Sequence, residues 1–257
     1  GILDGVGWAI TAGVFFMSCS SGALNHWQER TTDAFMPRTQ NRPIPSGRVT
    51  PQKGLLVAIV FAVIGSIILL ISAPVIALIV SWATLFFYNG IYTPLKKVTA
   101  FAVIPGSFVG ALPPMIGWAG AGGSLTSEII LLVSVFFFIG QIPHFWLLLL
   151  MFGDQYKKAN LPSLNQIFSA VQIKRITYTW ILTTIASALL VIFFVFSNRI
   201  LIFLLLFYAF YLLSSLSMAV FAEKEFKVRP AFYKLNFLYL FMMIFLVADG
   251  LLRNQIL

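Results

Sequence analysis

Acidic residues are scarce in this chain, with eight Asp and Glu among 257 residues against seventeen Lys and Arg. Cysteine occurs once, as Cys19, so neither a disulfide framework nor a cysteine-based metal site can be built. The two histidines, His26 and His144, stand too far apart to form a metal-ligand spacing. Charge is absent from whole stretches: residues 54–72, 129–152 and 200–221 contain no Asp, Glu, Lys or Arg. Regular alternation of polar and apolar residues over about ten positions is also missing, which excludes a transmembrane barrel.

What remains is strongly apolar. The chain is 60% hydrophobic and 10% charged, with a mean hydropathy of +0.94. A soluble domain of this length has no use for so much apolar surface. A bilayer core roughly 30 Å thick takes about 20 apolar residues per helix. Eight segments qualify, near 5–27, 53–72, 74–93, 101–119, 127–152, 174–196, 199–221 and 232–251. The expected fold is therefore all-α, a polytopic transmembrane helical bundle forming one domain over 1–257. Because the chain begins at Gly1, a further N-terminal helix is expected to precede it.

The net charge of +9 is not a nucleic-acid footprint, because its distribution follows the spans. Arg30, Arg38, Arg42, Arg48 and Lys53 follow the first span, and Lys96 and Lys97 the third. Lys157, Lys158, Lys174 and Arg175 follow the fifth, and Lys224, Lys227, Arg229 and Lys234 the seventh. Only Arg199 and Arg253 fall on the other side. This asymmetry makes the basic loops cytoplasmic and the protein a multi-pass component of a bacterial-type inner or plasma membrane, with no nucleic-acid partner.

The first polar region starts where the first span ends. Asn25, Glu29 and Asp33 are spaced i, i+4, i+8, which puts them on one helix face. Two carboxylates beside an amide can hold Mg²⁺ and, through it, a phosphate. Arg38 and Arg42, again four apart, offer guanidinium forks to phosphate oxygens; alternatively they are topology determinants at a helix end. The second polar region contains His144, Asp154, Lys157 and Lys158. Asp154 can join the same metal-phosphate centre or cap a short helix. The lysines can touch phosphate or simply mark the cytoplasmic side. His144 can serve chemistry or packing. Tyr88 and Tyr92 share a face and can shelter a cation, with Lys96 within reach of a diphosphate, though an interfacial aromatic belt explains the same residues. Pro105-Gly106 and Pro113-Pro114 interrupt the fourth span, shaping a pocket or a kink. The long loops after spans one and five, four spans apart, suggest a repeat of four-helix units.

The run N-H-W-Q-E-R-T-T-D at 25–33 resembles the first acidic motif of the UbiA-type intramembrane prenyltransferases, N-x-x-x-D-x-x-x-D, with Glu29 at the middle acid. Its continuation D-A-F-M-P-R-T-Q-N-R-P-I-P-S-G at 33–47 is similar to the protohaem IX farnesyltransferase (haem O synthase) branch. So are Y-T-P-L-K-K at 92–97, P-G-S-F-V-G-A-L-P-P-M-I-G-W at 105–118, Q-I-P-H-F-W at 141–146 and A-N-L-P-S-L at 159–164. The resemblance implies a usual nine spans and transfer of a farnesyl group from farnesyl diphosphate to the vinyl group of haem B. It makes Mg²⁺ the cofactor and haem a substrate, and places haem A synthase or a terminal oxidase nearby as partners in assembly. It assigns Glu29, Asp33 and Asp154 to metal, with Asn25 beside them. It assigns Arg38, Arg42 and Lys96 to the diphosphate, Arg38 and Arg42 alternatively to haem propionates, and His144 to the haem or to proton handling. The second-loop pattern, D-Y-x-x-A-x-x-P, has Gln155 at its acidic place when aligned on Ala159 and Pro162, with Asp154 one residue early. A related reading is the same architecture acting on an aromatic acceptor such as 4-hydroxybenzoate.

Overall fold

Sequences without charge for twenty residues leave the backbone only one way to satisfy its polar groups in lipid, which is the helix. A computed structural model describes residues 5–221 and 226–256, and among them eight helices are long and apolar enough to cross a membrane. They run Gly5–Gln28, Pro51–Ser72, Val75–Leu95, Ala100–Gly120, Glu128–Met151, Ala170–Phe194, Arg199–Phe221 and Val228–Arg253. Lys224, counted above among the loop cations, lies outside the described residues. The chain is an integral, multi-pass membrane protein with an all-α bundle.

Three boundaries differ from the sequence reading for a local reason. The sixth span begins at Ala170 rather than near 174, because Ser169 and Gln172 form a reciprocal capping box that starts the helix earlier. Lys174 and Arg175 therefore stand one turn inside the helix rather than at its first residues. The eighth span likewise starts at Val228, with Pro230 in its first turn, where a missing N–H costs nothing. The second span begins at Pro51 for the same reason, capped by Thr50.

Each half of the chain closes on itself. The first span packs on the second, the second on the third, the third on the fourth and the fourth on the first. Spans five to eight repeat this neighbour order, and contact between spans four and five joins the halves. The shared order is what a repeat of four-helix units requires. Close backbone approach holds the first pair together: a Cβ on Gly65 would lie 2.9 Å from the Gly13 carbonyl oxygen and from the Met17 nitrogen. The largest apolar core, containing Phe136, Leu147, Ile181, Leu205, Leu212, Leu235 and Met242, fills the second half. A separate buried cluster of Met36, Ile142, Trp146, Tyr156, Leu161 and Ile173 lies at the basic end, beneath the two long loops.

The fourth span is broken. A 3-10 turn at Ala100–Ala102 and a short helix at Val103–Gly106 precede the main helix, Phe108–Gly120. The third span changes pitch instead: Val75–Leu85 is α-helical, but Phe86–Tyr92 is a π-helix. Both departures border the acidic end of the first span.

Candidate active site

The first span ends at Gln28, yet its face continues. Glu29 leaves helical geometry, but its N–H donates to the Asn25 carbonyl (2.9 Å) and the Asp33 N–H donates to the Glu29 carbonyl (2.8 Å). These two i→i+4 bonds carry the register through the break, and Asn25, Glu29 and Asp33 are all buried, at 5%, 4% and 1% exposure. Burying two carboxylates is costly unless each is paired. Here each has its own cation. Lys96 forms an ion pair with Glu29, and Arg42 Nη1 donates to Asp33 Oδ2 at 2.7 Å. The other oxygen of Asp33, Oδ1, is buried without a hydrogen-bond partner.

The segment after Asp33 folds back to make this possible. Among its turns, the Thr39 hydroxyl donates to the Asp33 carbonyl (3.0 Å), which brings Arg42 back over the carboxylate. Ile44 anchors the return against Gly54, where a Cβ would meet Ile44 Cδ1 at 2.5 Å. Gly47 turns the chain with φ +77°, a conformation that glycine adopts without strain. The arginines at 38 and 42 consequently share no helix face. Arg42 serves Asp33, whereas the Arg38 guanidinium stacks 4.8 Å over the Phe152 ring and its backbone N–H lies 3.4 Å from Gln155 Oε1.

The π-helix turns the third span toward the stripe. The Asn25 amide donates to Thr93 Oγ1 (3.1 Å), and Thr93 in turn donates to the Tyr88 carbonyl (2.9 Å). The Asn89 amide donates to the Ser21 carbonyl (3.1 Å) and to Gln28 Oε1 (3.0 Å), and Ser21 donates back to Asn89 Oδ1 (2.7 Å). Extra residues in a helical turn re-aim side chains, and here they aim Asn89 and Thr93 at the first span. Tyr88 and Tyr92 stack at 5.7 Å, Tyr92 stacks on Phe145 at 5.2 Å, and the Lys96 ammonium lies 5.3 Å above the Tyr92 ring. Gly106 makes room for this ladder, since a Cβ there would meet Tyr92 Cδ2 at 2.5 Å.

A cavity of about 370 Å³ opens between the first, third and fourth spans, lined among others by Met17, Ser18, Ser21, Tyr88, Pro113 and Ile116. Ser21 is one helical turn from Asn25, so the stripe stands at the end of this apolar space. Pro113 contributes to its wall from within the continuous helix Phe108–Gly120. Of the two proline segments only Pro105-Gly106 lies at the break of the fourth span, and Pro113-Pro114 does not interrupt it.

Beyond the spans, burial holds the Lys96 ammonium below its ordinary pKa, and the Glu29 carboxylate opposes that shift. Burial also raises the pKa of Tyr156, partly offset by the charge of Arg38. Tyr156 thus remains a neutral hydroxyl close to the fields of Glu29, Asp33 and both arginines.

The second polar region is arranged differently. Asp154 is exposed in the first turn of the short helix Gly153–Lys158, and Lys157 and Lys158 are exposed in its last turn. This is the charge order a helix dipole favours. Among the described residues no three His, Cys, Asp or Glu side chains gather into a metal-holding group. Asp154 therefore stands apart from Glu29 and Asp33, while its neighbour Gln155 reaches the first loop. His144 faces the eighth span, its ring 5.1 Å from the Phe232 ring. Asn89, Thr93, Phe145 and Tyr156 were not singled out from the sequence. For Asn89 a signal was present, an amide within an apolar span; for Tyr156 it was the tyrosine of the second-loop pattern.

A profile of the UbiA prenyltransferase family matches residues 3–245. The chain is 43% identical over 152 residues to a protoheme IX farnesyltransferase of Oleidesulfovibrio alaskensis, covering 59% of this chain and 54% of that protein. It is 40% identical over 157 residues to one of Geobacter sulfurreducens, covering 60% and 57%. The chain thus spans about half the length of the relatives it matches. Among solved structures, a UbiA homolog from Archaeoglobus fulgidus bound to DMAPP and Mg2+ superimposes with a TM-score of 0.65 at 13% identity, over 93% of this chain and 88% of that one. The fold is common to both, and with the profile spanning nearly every described helix, the chain belongs to the UbiA prenyltransferase family.

Proposed function

We propose that this protein transfers a farnesyl group from farnesyl diphosphate to a vinyl group of protohaem IX, giving haem O and diphosphate, at the cytoplasmic end of the bundle. The observation that carries the proposal is the buried pair Glu29 and Asp33, each matched to a cation, at the end of an apolar cavity. The names of the relatives supply the substrates, and the basic loops supply the orientation.

Mg²⁺ fits the donor set: two carboxylates and an amide, all oxygen donors, with Asp33 Oδ1 buried and unpartnered. Glu29 and Asp33 would hold it, with Asn25 fixed beside them by Thr93. When bound, the ion would neutralise charge on the departing diphosphate. Lys96 and Arg42, which match the carboxylates here, are the groups to meet phosphate oxygens, and Arg38 and the neutral Tyr156 hydroxyl stand on the approach to them. The farnesyl chain would occupy the space beneath Tyr88. As its C1–O bond breaks, the electron pair leaves with diphosphate, and the faces of Tyr88 and Tyr92 would shelter the allylic cation. The vinyl π pair then forms the new bond to C1, and water adds to the electron-poor carbon with loss of a proton. His144, next in sequence to the Phe145 of the aromatic ladder, is assigned to the acceptor side.

The test is direct. The full-length protein incubated with farnesyl diphosphate, haem B and Mg²⁺ should yield haem O by chromatography and mass spectrometry. Absence of haem O together with prenylation of 4-hydroxybenzoate would overturn the acceptor assignment.

A further inference from the structure

The cavity between the first, third and fourth spans has a closed end. Its lining residues farthest from the acidic stripe are Val14 on the first span, Ser81 on the third and Ile116 on the fourth. One helical turn beyond them stand Ile10, Ala77 and Gly120, and none of these lines the cavity. All three are buried. A Cβ on Gly120 would lie 3.1 Å from both Cδ1 and Cγ2 of Ile10, so the first and fourth spans touch there. Ala77 shares one packed apolar cluster with Ile116 and Ala119, and Ile10 belongs to the adjoining cluster; Val14 packs against both.

The depth of this space separates one chain length from the next. Asn25, at the stripe, and Val14, at the closed end, stand about 16 Å apart along the helix axis at 1.5 Å per residue. An extended prenyl chain advances about 5 Å per isoprene unit, a zigzag of four carbon–carbon bonds of about 1.5 Å each. Three units therefore take about 15 Å, and a fourth would extend the chain to about 20 Å. That extra unit would run past Val14 into side chains already in contact. A close-packed interior does not admit five more carbons without strain.

We propose that Val14 and Ile116 form a floor that limits the prenyl donor to three isoprene units. This rests on the assignment of the donor's hydrocarbon chain to the cavity and deepens it, by naming the residues that set chain length. Both act through volume alone. Replacing both by alanine removes five carbons, the content of one isoprene unit, whereas Val14→Phe adds four carbons at the same place.

The test measures binding without an acceptor, so it does not depend on which molecule is prenylated. The full-length protein is titrated with geranyl, farnesyl and geranylgeranyl thiolodiphosphates in the presence of Mg²⁺. Wild type should bind the farnesyl compound at least about 10-fold tighter than either neighbour, the scale of discrimination that an apolar pocket achieves. Val14→Ala/Ile116→Ala should improve geranylgeranyl relative to farnesyl binding by about 10-fold, and Val14→Phe should move the preference toward geranyl by a similar factor. Ile71→Ala, on the lipid-facing side of the second span at 80% exposure, should leave the ratios unchanged. It also removes the contribution of chain partitioning into detergent, which is common to all variants. Should the double alanine variant fail to fold, Val14→Phe alone decides. Unchanged ratios in the cavity variants would overturn the proposal, as they would if the chain left the cavity sideways into lipid, and so would an equal change in Ile71→Ala. Failure of all three compounds to bind wild type would instead overturn the donor assignment itself, and the floor with it.

Discussion

The loops after spans one and five begin alike, each with acids, amides and basic residues following a long apolar helix, and the structure treats them in opposite ways. Glu29 and Asp33 are buried and each is matched by a cation. Asp154, Lys157 and Lys158 are exposed on a short helix whose charges follow its dipole. The difference originates in neighbours rather than in the acids themselves. The first loop folds back through Thr39 and Arg42 and receives the π-helix of span three, so its carboxylates are enclosed. The second loop turns its tyrosine inward instead, and Gln155, not an acid, approaches the first loop. Similar composition at equivalent places in two four-helix units thus yields one enclosed charged site and one solvated helix.

Removing the enclosed charges should have the largest effect. Glu29→Gln and Asp33→Asn are each expected to lower prenyl transfer by at least about 10²–10³-fold, the scale for losing one preorganised electrostatic group. Both variants should still insert and migrate as folded protein on size exclusion, because amides keep the shape. Retained turnover in both would remove the metal and diphosphate assignment. Burial alone does not make an acid chemical, and Asp249 is the contrast. It is buried at the opposite end, where it accepts N–H groups from Ser197 (3.1 Å) and Asn198 (2.7 Å) and pairs with Arg253 at 2.8 Å. Asp249→Ala should destabilise the fold by about 2 kcal/mol through the N–H groups it strands. Its turnover per folded molecule should be unchanged, as thermal unfolding in detergent alongside activity will show.

Lys96 gives the comparison a pH dependence. Burial lowers its pKa from the ordinary 10.5, so the charged form is costlier in the folded protein than in the unfolded chain. That cost is fully present below the folded pKa and fades as pH rises through it toward 10.5. Glu29 opposes the shift, so in metal-free Glu29→Gln the amine should deprotonate at lower pH still. Amine acylation followed by peptide mass spectrometry reads this directly. An unchanged Lys96 profile would mean that the ion pair does not hold in the membrane.

The bundle was legible because lipid enforces it: charge-free runs and the asymmetry of Lys and Arg locate eight spans without any tertiary information. The stripe was legible because helical spacing sets a face, and the hydrogen bonds through Glu29 preserve that face where the helix pauses. The pairing of Arg38 with Arg42 was not. Their spacing of four implies a helix, and Thr39 binding back to the Asp33 carbonyl decides otherwise. Nor does any apolar pattern mark a π-helix, since Phe86–Tyr92 reads as ordinary helix until Asn89 and Thr93 are seen to face the first span. Contacts spanning sixty residues select that pitch, and local periodicity carries no record of them.

The smallest expected effect is the sharpest check on the contrast between the loops. Asp154 is exposed and shares no group with Glu29 and Asp33, so Asp154→Asn should change turnover by no more than about twofold, the range of ordinary surface substitutions. Gln155 occupies the place nearer the first loop, so Gln155→Ala should cost more than Asp154→Asn, chiefly as a higher KM for the diphosphate substrate if Arg38 positions it. A loss for Asp154→Asn approaching that of Asp33→Asn would break the comparison. It would mean that substrate draws the second loop inward and makes its acid a ligand only in the bound enzyme.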